Sequence, residues 1–323
     1  MKLTALTTLF LISFCSLAVD KVYRFGVVTK ESQLPFFQAI KKGCVTRARE
    51  LKNVECLFAD ISEASARLQE QAIKNFILKE KIDGLAVAVI NADFLQRSLS
   101  KFVPKHVPVI TVDADFSEDI LKGKPSIRAA YVGTDNYALG FQLGELYKKS
   151  TTTKSEFCII SGHRYTDNLN QRIKGFLSSV NKSKGDLYSQ NPRCPLYSLE
   201  NSKNSLKQMD HMLSLGVSKK VIPSIILMGG WPQLIPNQYK KVMGKYKSLM
   251  QDKLVSVYSI DALPVQIDLL VNGLSQGNVG QMPVEMGREV INVLHDIVRN
   301  KNVKQINSTG VVVCTPEKYQ HCL

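Results

Sequence analysis

Two features of membrane proteins and metalloproteins are missing from this 323-residue sequence. After the first twenty residues, no apolar run reaches the roughly 20 residues that a membrane-spanning helix needs. None of the seven cysteines stands at a zinc-finger spacing, so we expect no structural metal. The composition, 44% hydrophobic and 22% charged, is that of a globular protein, and the length suits two domains.

Motifs of nucleotide binding are missing as well. The chain has neither the Gly-x-x-x-x-Gly-Lys-Ser/Thr pattern of a phosphate loop nor the Gly-x-Gly-x-x-Gly pattern of a dinucleotide site. His106 and His163 stand alone, and a lone histidine is more often a surface or core residue than a ligand. We therefore expect the protein to use no cofactor.

The first twenty residues, MKLTALTTLFLISFCSLAVD, have the three parts of a secretory signal. Lys2 supplies the positive start, residues 3–14 form the apolar core, and Ser16-Leu17-Ala18 is a small-x-small cleavage site. A membrane anchor is the alternative, but this apolar run is shorter than a spanning helix requires. We expect residues 1–18 to be a signal peptide cleaved after Ala18, and the mature protein to be exported.

Cysteine usage agrees with export, because disulfides persist in oxidising compartments. Removal of the signal takes away Cys15 and leaves six cysteines, which permit 15 complete pairings. We expect nearest neighbours to pair, as Cys44–Cys56, Cys158–Cys194 and Cys314–Cys322. Several free buried thiols are the alternative, since cysteine is often simply a small core residue.

The formal charge of +14 is strongly basic. Such a balance is found in proteins that bind nucleic acid or anionic membrane surfaces. Here, however, the lysines are scattered through stretches such as KKGCVTRARELK and KKVMGKYK, which have the pattern of solvated helix faces. Because the chain has no basic arm, we expect no nucleic-acid partner.

Short β-branched runs alternate with helical patterns along the mature chain, which is typical of βαβ units. The predicted strands are apolar throughout, as expected for parallel strands covered on both faces. The first set comprises residues 22–29, 54–60, 84–90 and 107–114. A second cycle begins at RAAYVGTDN and comprises 156–162, 224–230, 254–261 and a last strand in STGVVVCTPE. The sequence therefore predicts an α/β fold with two parallel-sheet lobes.

Polar and aromatic side chains follow these strands. In open parallel sheets, ligands bind outside the carboxyl ends of the strands. The residues at those positions include three aromatics, two carboxylates and four amides: Phe36, Phe37, Trp231, Asp113, Asp261, Asn91, Asn168, Asn170 and Gln281. Such groups suit a saccharide, because carboxylates and amides bond hydroxyls while aromatic rings cover apolar C–H faces. No nucleophile with a base beside it is among them.

Six stretches together resemble the periplasmic sugar-binding proteins of the ribose-binding, type I class, which are solute-binding proteins of ABC transporters. They are VVTKESQLPFFQAIKKG, VPVITVDAD, YVGTDNYALGFQLGE, NLNQRIKGF, SIDALP and GQMPVEMG. The resemblance covers essentially the whole mature chain. It implies two Rossmann-like lobes joined by a three-stranded hinge. By resemblance the first lobe is 19–128 with 282–308, and the second is 129–281 with 309–323.

The same resemblance implies a function. The protein would be a periplasmic, monomeric binder and not an enzyme, capturing a monosaccharide or related polyol between its lobes and presenting it to a membrane permease. A receptor that presents its ligand to a membrane histidine kinase or chemoreceptor is the alternative. A third hypothesis is a secreted hydrolase with Asp113 and Asp261 as its acid and base. The resemblance to binding proteins disfavours this last hypothesis.

The expected ligand-binding residues combine matches to the family with positions at strand ends. They are Phe36, Phe37, Asn91, Asp113, Asn170, Arg172, Trp231, Asp261 and Gln281. Asn168 ranks below Asn170 because it could cap its own helix. Two positions depart from the family pattern, since Ala114 replaces a common arginine and Leu34 a usual asparagine. GGWP also replaces the usual Asn-Asp after the strand at 224–230, so we expect specificity to differ there.

Several of these residues also have a plainer interpretation. Phe36 and Phe37 begin a helix, where aromatic side chains usually pack into the core. Asp113 and Asp261 could cap turns or helices. Trp231 is expected at the cleft edge, opposite the phenylalanines, with packing at the rim as the alternative.

Overall fold

A computed structural model describes residues 21–182 and 187–322. The predicted signal peptide and cleavage site therefore lie outside the described residues. Within the described ranges, no helix is both long and apolar enough to cross a bilayer.

The chain alternates strands and helices. The strands are β1 Tyr23–Val28, β2 Val54–Phe58, β3 Gly84–Val87, β4 Val109–Val112, β5 Ala130–Thr134, β6 Ser155–Ser161, β7 Tyr188–Gln190, β8 Leu196–Tyr197, β9 Ser224–Leu227, β10 Val257–Ile260, β11 Gly277–Gln281, β12 Ile306–Thr309 and β13 Val311–Cys314. The helices are α1 Pro35–Leu51, α2 Ala66–Asn75, α3 Ala92–Phe102, α4 Glu118–Gly123, α5 Asn136–Ser150, α6 Asp167–Asn181, α7 Ser202–Lys219, α8 Pro236–Gly244, α9 Lys247–Gln251, α10 Pro264–Val271 and α11 Pro283–Val298.

Two separate sheets organise these elements. The first has the strand order β12-β5-β4-β3-β1-β2, and all of its strands are parallel. The second has the order β13-β11-β10-β9-β6-β7, with β8 also paired to β6. Its strands are parallel except for β13, which runs antiparallel to β11. The predicted α/β fold with two parallel-sheet lobes is confirmed.

The chain leaves the first sheet later than the sequence indicated. Strand β5 pairs with β4 and β12 in the first sheet, whereas we expected the second lobe to begin at residue 129. The first sheet thus includes Ala130–Thr134, and the crossing follows Thr134. Two further crossings follow Gln281, at the end of β11, and Thr309, where Gly310 separates β12 from β13. Because β5 is as apolar as its neighbours, its sequence did not tell which sheet it joins.

Close helix contacts across each lobe depend on glycine. An ideal Cβ at Gly43 of α1 would lie 1.9 Å from the carbonyl oxygen of Val284, at the start of α11. In the second lobe, an ideal Cβ at Gly140 of α5 would lie 1.9 Å from the carbonyl oxygen of Arg172 in α6. In both helix pairs the two backbones are in contact. The position of α6 and of its side chains therefore depends on Gly140 having no side chain.

Three disulfides join the six described cysteines as nearest neighbours. Cys44–Cys56 ties α1 to β2, Cys158–Cys194 ties β6 to the segment before β8, and Cys314–Cys322 fastens the C-terminal turn to β13. The predicted pairing is therefore confirmed. The alternative of free buried thiols is wrong, because each sulfur has its partner on an adjoining element.

Loss of the Cys158–Cys194 bond should destabilise the protein more than loss of the C-terminal bond. The first closes a 36-residue separation and the second only 8. Loop-closure entropy gives about 4 kcal/mol for the longer loop and about 2.5 kcal/mol for the shorter one. We expect this order in the free energies of unfolding by urea of the two double cysteine-to-serine variants. A larger loss for the Cys314 and Cys322 variant would contradict it.

Candidate functional site

Three acidic residues in the loops after strands have left-handed backbones. Asp113 follows β4 with φ 62°, Asp261 follows β10 with φ 74°, and Glu200 follows β8 with φ 59°. Side chains other than glycine adopt this region rarely, and such strain concentrates at functional sites. The carboxyl ends of both sheets therefore present carboxylates on strained backbone.

The carboxylate of Asp113 is buried and has no donor of its own. The residue is only 4% exposed, and the influences on its carboxylate are burial and neighbouring charges rather than hydrogen bonds. Burial raises its pKa even though the charges of Lys30 and Arg172 act in the opposite direction. A buried carboxylate without a donor is costly, so this position is suited to a ligand that brings donors.

Charged groups from both lobes act on Asp113. The charges that act on it are those of Lys30 on the first lobe and of Arg172, Glu200 and Asp261 on the second. The structure therefore brings together Asp113, Arg172 and Asp261, as expected from the sequence. It adds Lys30 and Glu200, which are not among the residues predicted from the sequence.

Arg172 is fixed by neutral acceptors rather than by a carboxylate. Its Nε donates to Asn136 Oδ1 at 2.8 Å, and its Nη1 donates to the carbonyl of Met228 at 2.9 Å. Asn136 Nδ2 in turn lies 3.4 Å from the hydroxyl of Tyr131, which donates to the carbonyl of Asp113 at 3.1 Å. This chain of hydrogen bonds runs along the first crossing, from β5 into α5, and links the Asp113 loop to α6.

Asp261 is held at the second crossing. Gln281 Nε2 donates to its Oδ1 at 2.8 Å, and the backbone N–H of Gly230 approaches its Oδ2 at 3.5 Å. The residue that caps α10 is Leu263, so the alternative role of Asp261 as that helix's cap is wrong. Asp261 and Gln281, both expected to bind ligand, therefore lie in direct contact.

A buried ion pair joins the two lobes directly. Lys30 Nζ lies 3.0 Å from Glu200 Oε1, and the side chains are only 3% and 9% exposed. Lys30 follows β1 by two residues, so its place just after a strand is a signal that the sequence does contain. Glu200 had no such signal, because it lies in a loop after the two-residue strand β8.

Trp231 lies on the second lobe beside this ion pair. It begins a short 3-10 turn, Trp231–Leu234, and is 7% exposed. Its ring covers Gly229 and Gly162, where an added Cβ would come within 2.6 Å and 3.1 Å of it. The Cγ of Glu200 is closer still to Gly162, at 2.5 Å from the same Cβ position. The glycine in GGWP thus lets the indole lie flat against the backbone near the cleft charges.

Phe36 and Phe37 lie at the first turn of α1 and are largely buried. Their rings meet edge to face with centroids 5.4 Å apart. They belong to the core of the first lobe, and Leu263 of the second lobe is part of the same cluster. The two rings therefore pack where the lobes meet. No described ring contact joins them to Trp231, so a sandwich of the ligand between these rings stays a prediction.

Two predicted amides lie outside this group. Asn91 is exposed and caps α3, since its Oδ1 accepts from the backbone N–H of Phe94 at 2.9 Å. Asn170 is also exposed, and its Nδ2 donates to the carbonyl of Arg164 at 3.0 Å. Asn168 is 4% exposed. The cap of α6 is Thr166, so the reason for ranking Asn168 below Asn170 is wrong.

Several buried polar side-chain atoms without hydrogen-bond partners lie at the carboxyl ends of the strands. Of ten such side-chain atoms among the described residues, seven lie at strand ends or in the loops that follow them. They are Thr29 Oγ1, Thr134 Oγ1, Ser161 Oγ, His163 Nε2, Thr166 Oγ1, Gln281 Oε1 and Thr309 Oγ1. Most buried polar groups in proteins are hydrogen-bonded, so this distribution indicates a polar ligand site.

One pentapeptide has the letters of a hydrolase nucleophile elbow. Residues 273–277 read GLSQG, which matches Gly-x-Ser-x-Gly. An elbow leads from a strand into a helix, whereas this segment leads from α10 into β11, at the amino end of the sheet. Ser275 is 1% exposed and its Oγ donates to Asn278 Oδ1 at 3.3 Å. The serine is therefore structural.

Two parallel-sheet lobes, three crossings and a group of buried charged residues at the strand ends define the class of two-lobed ligand-binding proteins. The chain belongs to the periplasmic binding protein domain family, whose sequence model matches residues 25–302. The resemblance found in the sequence is confirmed. This family consists of binding proteins rather than enzymes.

Solved structures share the fold over nearly the whole chain. GanP, a glucose-galactose binding protein from Geobacillus stearothermophilus, has a TM-score of 0.77 at 22% identity, covering 93% of this chain and 99% of that chain. An ABC-transporter solute-binding protein from Burkholderia graminis, in complex with D-arabinose, has a TM-score of 0.78 at 22% identity, covering 93% and 98%. The XylFII-LytSN complex matches with a TM-score of 0.70 at 20% identity, covering 92% and 98%. At these identities the likeness shows the fold alone. No curated protein sequence matches this chain.

Proposed function

We propose that the protein is an exported binding protein that captures a monosaccharide or related polyol between its lobes and delivers it to a membrane ABC transporter. The observation that carries this proposal is the Asp113 carboxylate, buried in the cleft without a donor. Sugar hydroxyls would supply charge-assisted hydrogen bonds to it. Asp261, Arg172 and Gln281 stand nearby as further acceptors and donors.

The rest of the cleft is consistent with a sugar. Unpartnered hydroxyls at Thr29 and Ser161 offer neutral hydrogen bonds on either lobe. Trp231, Phe36 and Phe37 offer aromatic surface for the C–H faces of a ring. Structural neighbours that share the fold are described as a glucose-galactose binding protein and as a complex with D-arabinose.

Delivery would use hinge closure. In the lobe division that we propose, residues up to 134 with 282–309 form one lobe and 135–281 with 310–322 the other. The three crossings then act as the hinge, and closure brings Asp113 and Lys30 against Glu200 and Asp261. A membrane partner would recognise the closed form.

A sensory receptor is the second candidate. It is favoured by the similarity in fold to the XylFII-LytSN complex. Uptake of labelled sugar in a strain that lacks this gene separates the two functions. Lost uptake supports transport, whereas normal uptake with a lost transcriptional response to the sugar supports sensing.

A thermal-shift panel tests ligand capture. The protein is freed of bound ligand by reversible unfolding and then screened against pentoses, hexoses, inositols, amino acids and short peptides. We expect a rise in the melting temperature with at least one sugar or polyol. Stabilisation by another solute class, with none by any sugar, would overturn the proposal.

Trp231, the only tryptophan, is expected to contact the bound sugar. We expect Trp231→Ala to weaken sugar binding about tenfold, since a stacked aromatic ring contributes roughly 0.5–1.5 kcal/mol beyond its buried area. Trp231→Phe keeps a ring and should recover most of the affinity in isothermal titration. Equal affinity for the wild type and the alanine variant would place the indole outside the ligand contact.

A further inference from the structure

The Lys30–Glu200 ion pair is the one direct charge contact between the lobes among the described salt bridges. We propose that this pair makes the cleft selective for uncharged ligands, by cancelling the charge of Lys30 so that sugar acids and sugar phosphates are rejected. The proposal rests on the proposed function, because it concerns the ligand of the same cleft.

The pair belongs to the ligand site and not to the outer rim. Lys30 is 3% exposed and follows Thr29, whose buried hydroxyl has no partner. Glu200 contacts the position that an added Cβ of Gly162 would occupy, and the edge of Trp231 reaches the same point. Both charges also act on Asp113. A ligand that reaches Asp113 and Trp231 therefore lies beside the pair.

The contact with Glu200 determines whether the ammonium of Lys30 can bind an anion. A free buried lysine at a strand end would be a strong site for a carboxylate or phosphate. With Glu200 at 3.0 Å, that charge is already balanced. An anionic ligand would have to displace Glu200 or leave it unpaired, and a buried carboxylate without its cation is costly.

The charges around Asp113, taken together, also disfavour an anionic ligand. The two cations, Lys30 and Arg172, are matched in number by the carboxylates of Glu200 and Asp261, and Asp113 adds a third carboxyl group whose pKa is raised by burial. Arg172 donates hydrogen bonds from Nε to Asn136 and from Nη1 to Met228. An added anion would therefore meet no unbalanced cation among these groups, in a buried region of low dielectric where like charges repel strongly.

The backbone of Glu200 supports a site role. Leu199 and Glu200 form two successive left-handed residues, both with φ 59°. Strain of this kind persists where the surrounding structure requires it. The two other cleft carboxylates have the same backbone conformation, so Glu200 shares with Asp113 and Asp261 a feature that separates them from surface acids.

Three variants remove one or both charges of the Lys30–Glu200 ion pair. Glu200→Gln leaves Lys30 unpaired, Lys30→Met leaves Glu200 unpaired, and the double variant removes both charges. Affinities are measured by isothermal titration for matched neutral and anionic ligands. The pairs are D-glucose and D-glucuronate, D-galactose and D-galacturonate, D-ribose and D-ribose 5-phosphate, and myo-inositol and its 1-phosphate. Glu118→Gln is the control, because its only described ion pair is with Lys122 on the same exposed helix.

Within the matched ligand pair that the wild type prefers, we expect it to bind the neutral ligand at least tenfold more tightly than the anionic one. Glu200→Gln should reduce this ratio at least tenfold, Lys30→Met should increase it, and the double variant should return it close to the wild-type value. Glu118→Gln should leave it unchanged. If Glu200→Gln fails to fold, the other two variants still test the order.

Two results would overturn the inference and keep the proposed function. One is wild-type affinity for an anionic ligand that equals or exceeds that for its neutral partner. The other is an equal loss of neutral and anionic ligands in Glu200→Gln, which would make the pair a structural contact alone. Absence of binding to any sugar, polyol or their acids would overturn both the proposed function and the inference.

Discussion

Asp113→Asn should lose about 100-fold in sugar affinity and yet unfold with a higher free energy than the wild type at neutral pH. The loss follows from the removal of charge-assisted hydrogen bonds to ligand hydroxyls, each worth roughly 1.5–3 kcal/mol. Asparagine is chosen because it tolerates the left-handed backbone at this position better than alanine does.

The expected gain in stability follows from the raised pKa of Asp113. Burial raises its pKa above the unfolded value, so the folded protein binds this proton more tightly than the unfolded chain. The stability that this group contributes is fully present below the unfolded pKa and is lost as the pH rises through the folded pKa. At neutral pH the ionised form is therefore unfavourable without ligand, and asparagine removes that cost.

Urea unfolding of the ligand-free proteins and isothermal titration of the same samples test both effects. Asp119→Asn is the matched control, since Asp119 is exposed in α4 and should change neither quantity. The difference in stability between the wild type and Asp113→Asn should shrink as the pH is lowered. A variant that is both less stable and unchanged in affinity would show that Asp113 is structural.

Gly140→Ala should lower the free energy of unfolding by about 3 kcal/mol, because overpacking of a close contact costs up to roughly that amount. The added methyl group would lie 1.9 Å from the carbonyl oxygen of Arg172 and 2.7 Å from its Cα. Both contacts are with backbone, so no side-chain rotation relieves them. Helix α6 must move away from α5, and Arg172 moves with it.

The same substitution should therefore weaken ligand binding as well. Gly244→Ala is the control, because Gly244 is also helical and no atom lies within 4 Å of its added Cβ. Removing a glycine there should change stability by less than about 1 kcal/mol. Urea unfolding and titration of both variants give the comparison. Equal stability of the two alanine variants would mean that the α5–α6 contact adapts without cost.

The sequence predicted the lobes well because its signals are local. Apolar strands bounded by turns and separated by helical patterns mark βαβ units wherever they occur. The sheet that a strand joins is a long-range property, which is why β5 was assigned to the wrong cycle. The last predicted strand shows the same limit, since Gly310 divides it into β12 of one sheet and β13 of the other.

The cleft was predicted in part for a similar reason. Asp113, Asp261 and Gln281 stand directly at strand ends, so their place at the sheet edge follows from the topology. Asn91 has an equivalent position, but its side chain satisfies the start of α3 instead. Glu200 reaches the cleft through two left-handed residues in a loop, and no periodicity marks such a residue.

Native mass spectrometry of the protein purified under mild conditions tests the central claim most directly. A ligand held by the donors and acceptors around Asp113 should stay bound through purification and be released on collisional activation. We expect the released mass to be that of a neutral monosaccharide or polyol, and we expect it to be absent from Asp113→Asn prepared in parallel. A retained amino acid, peptide or sugar phosphate would contradict the account.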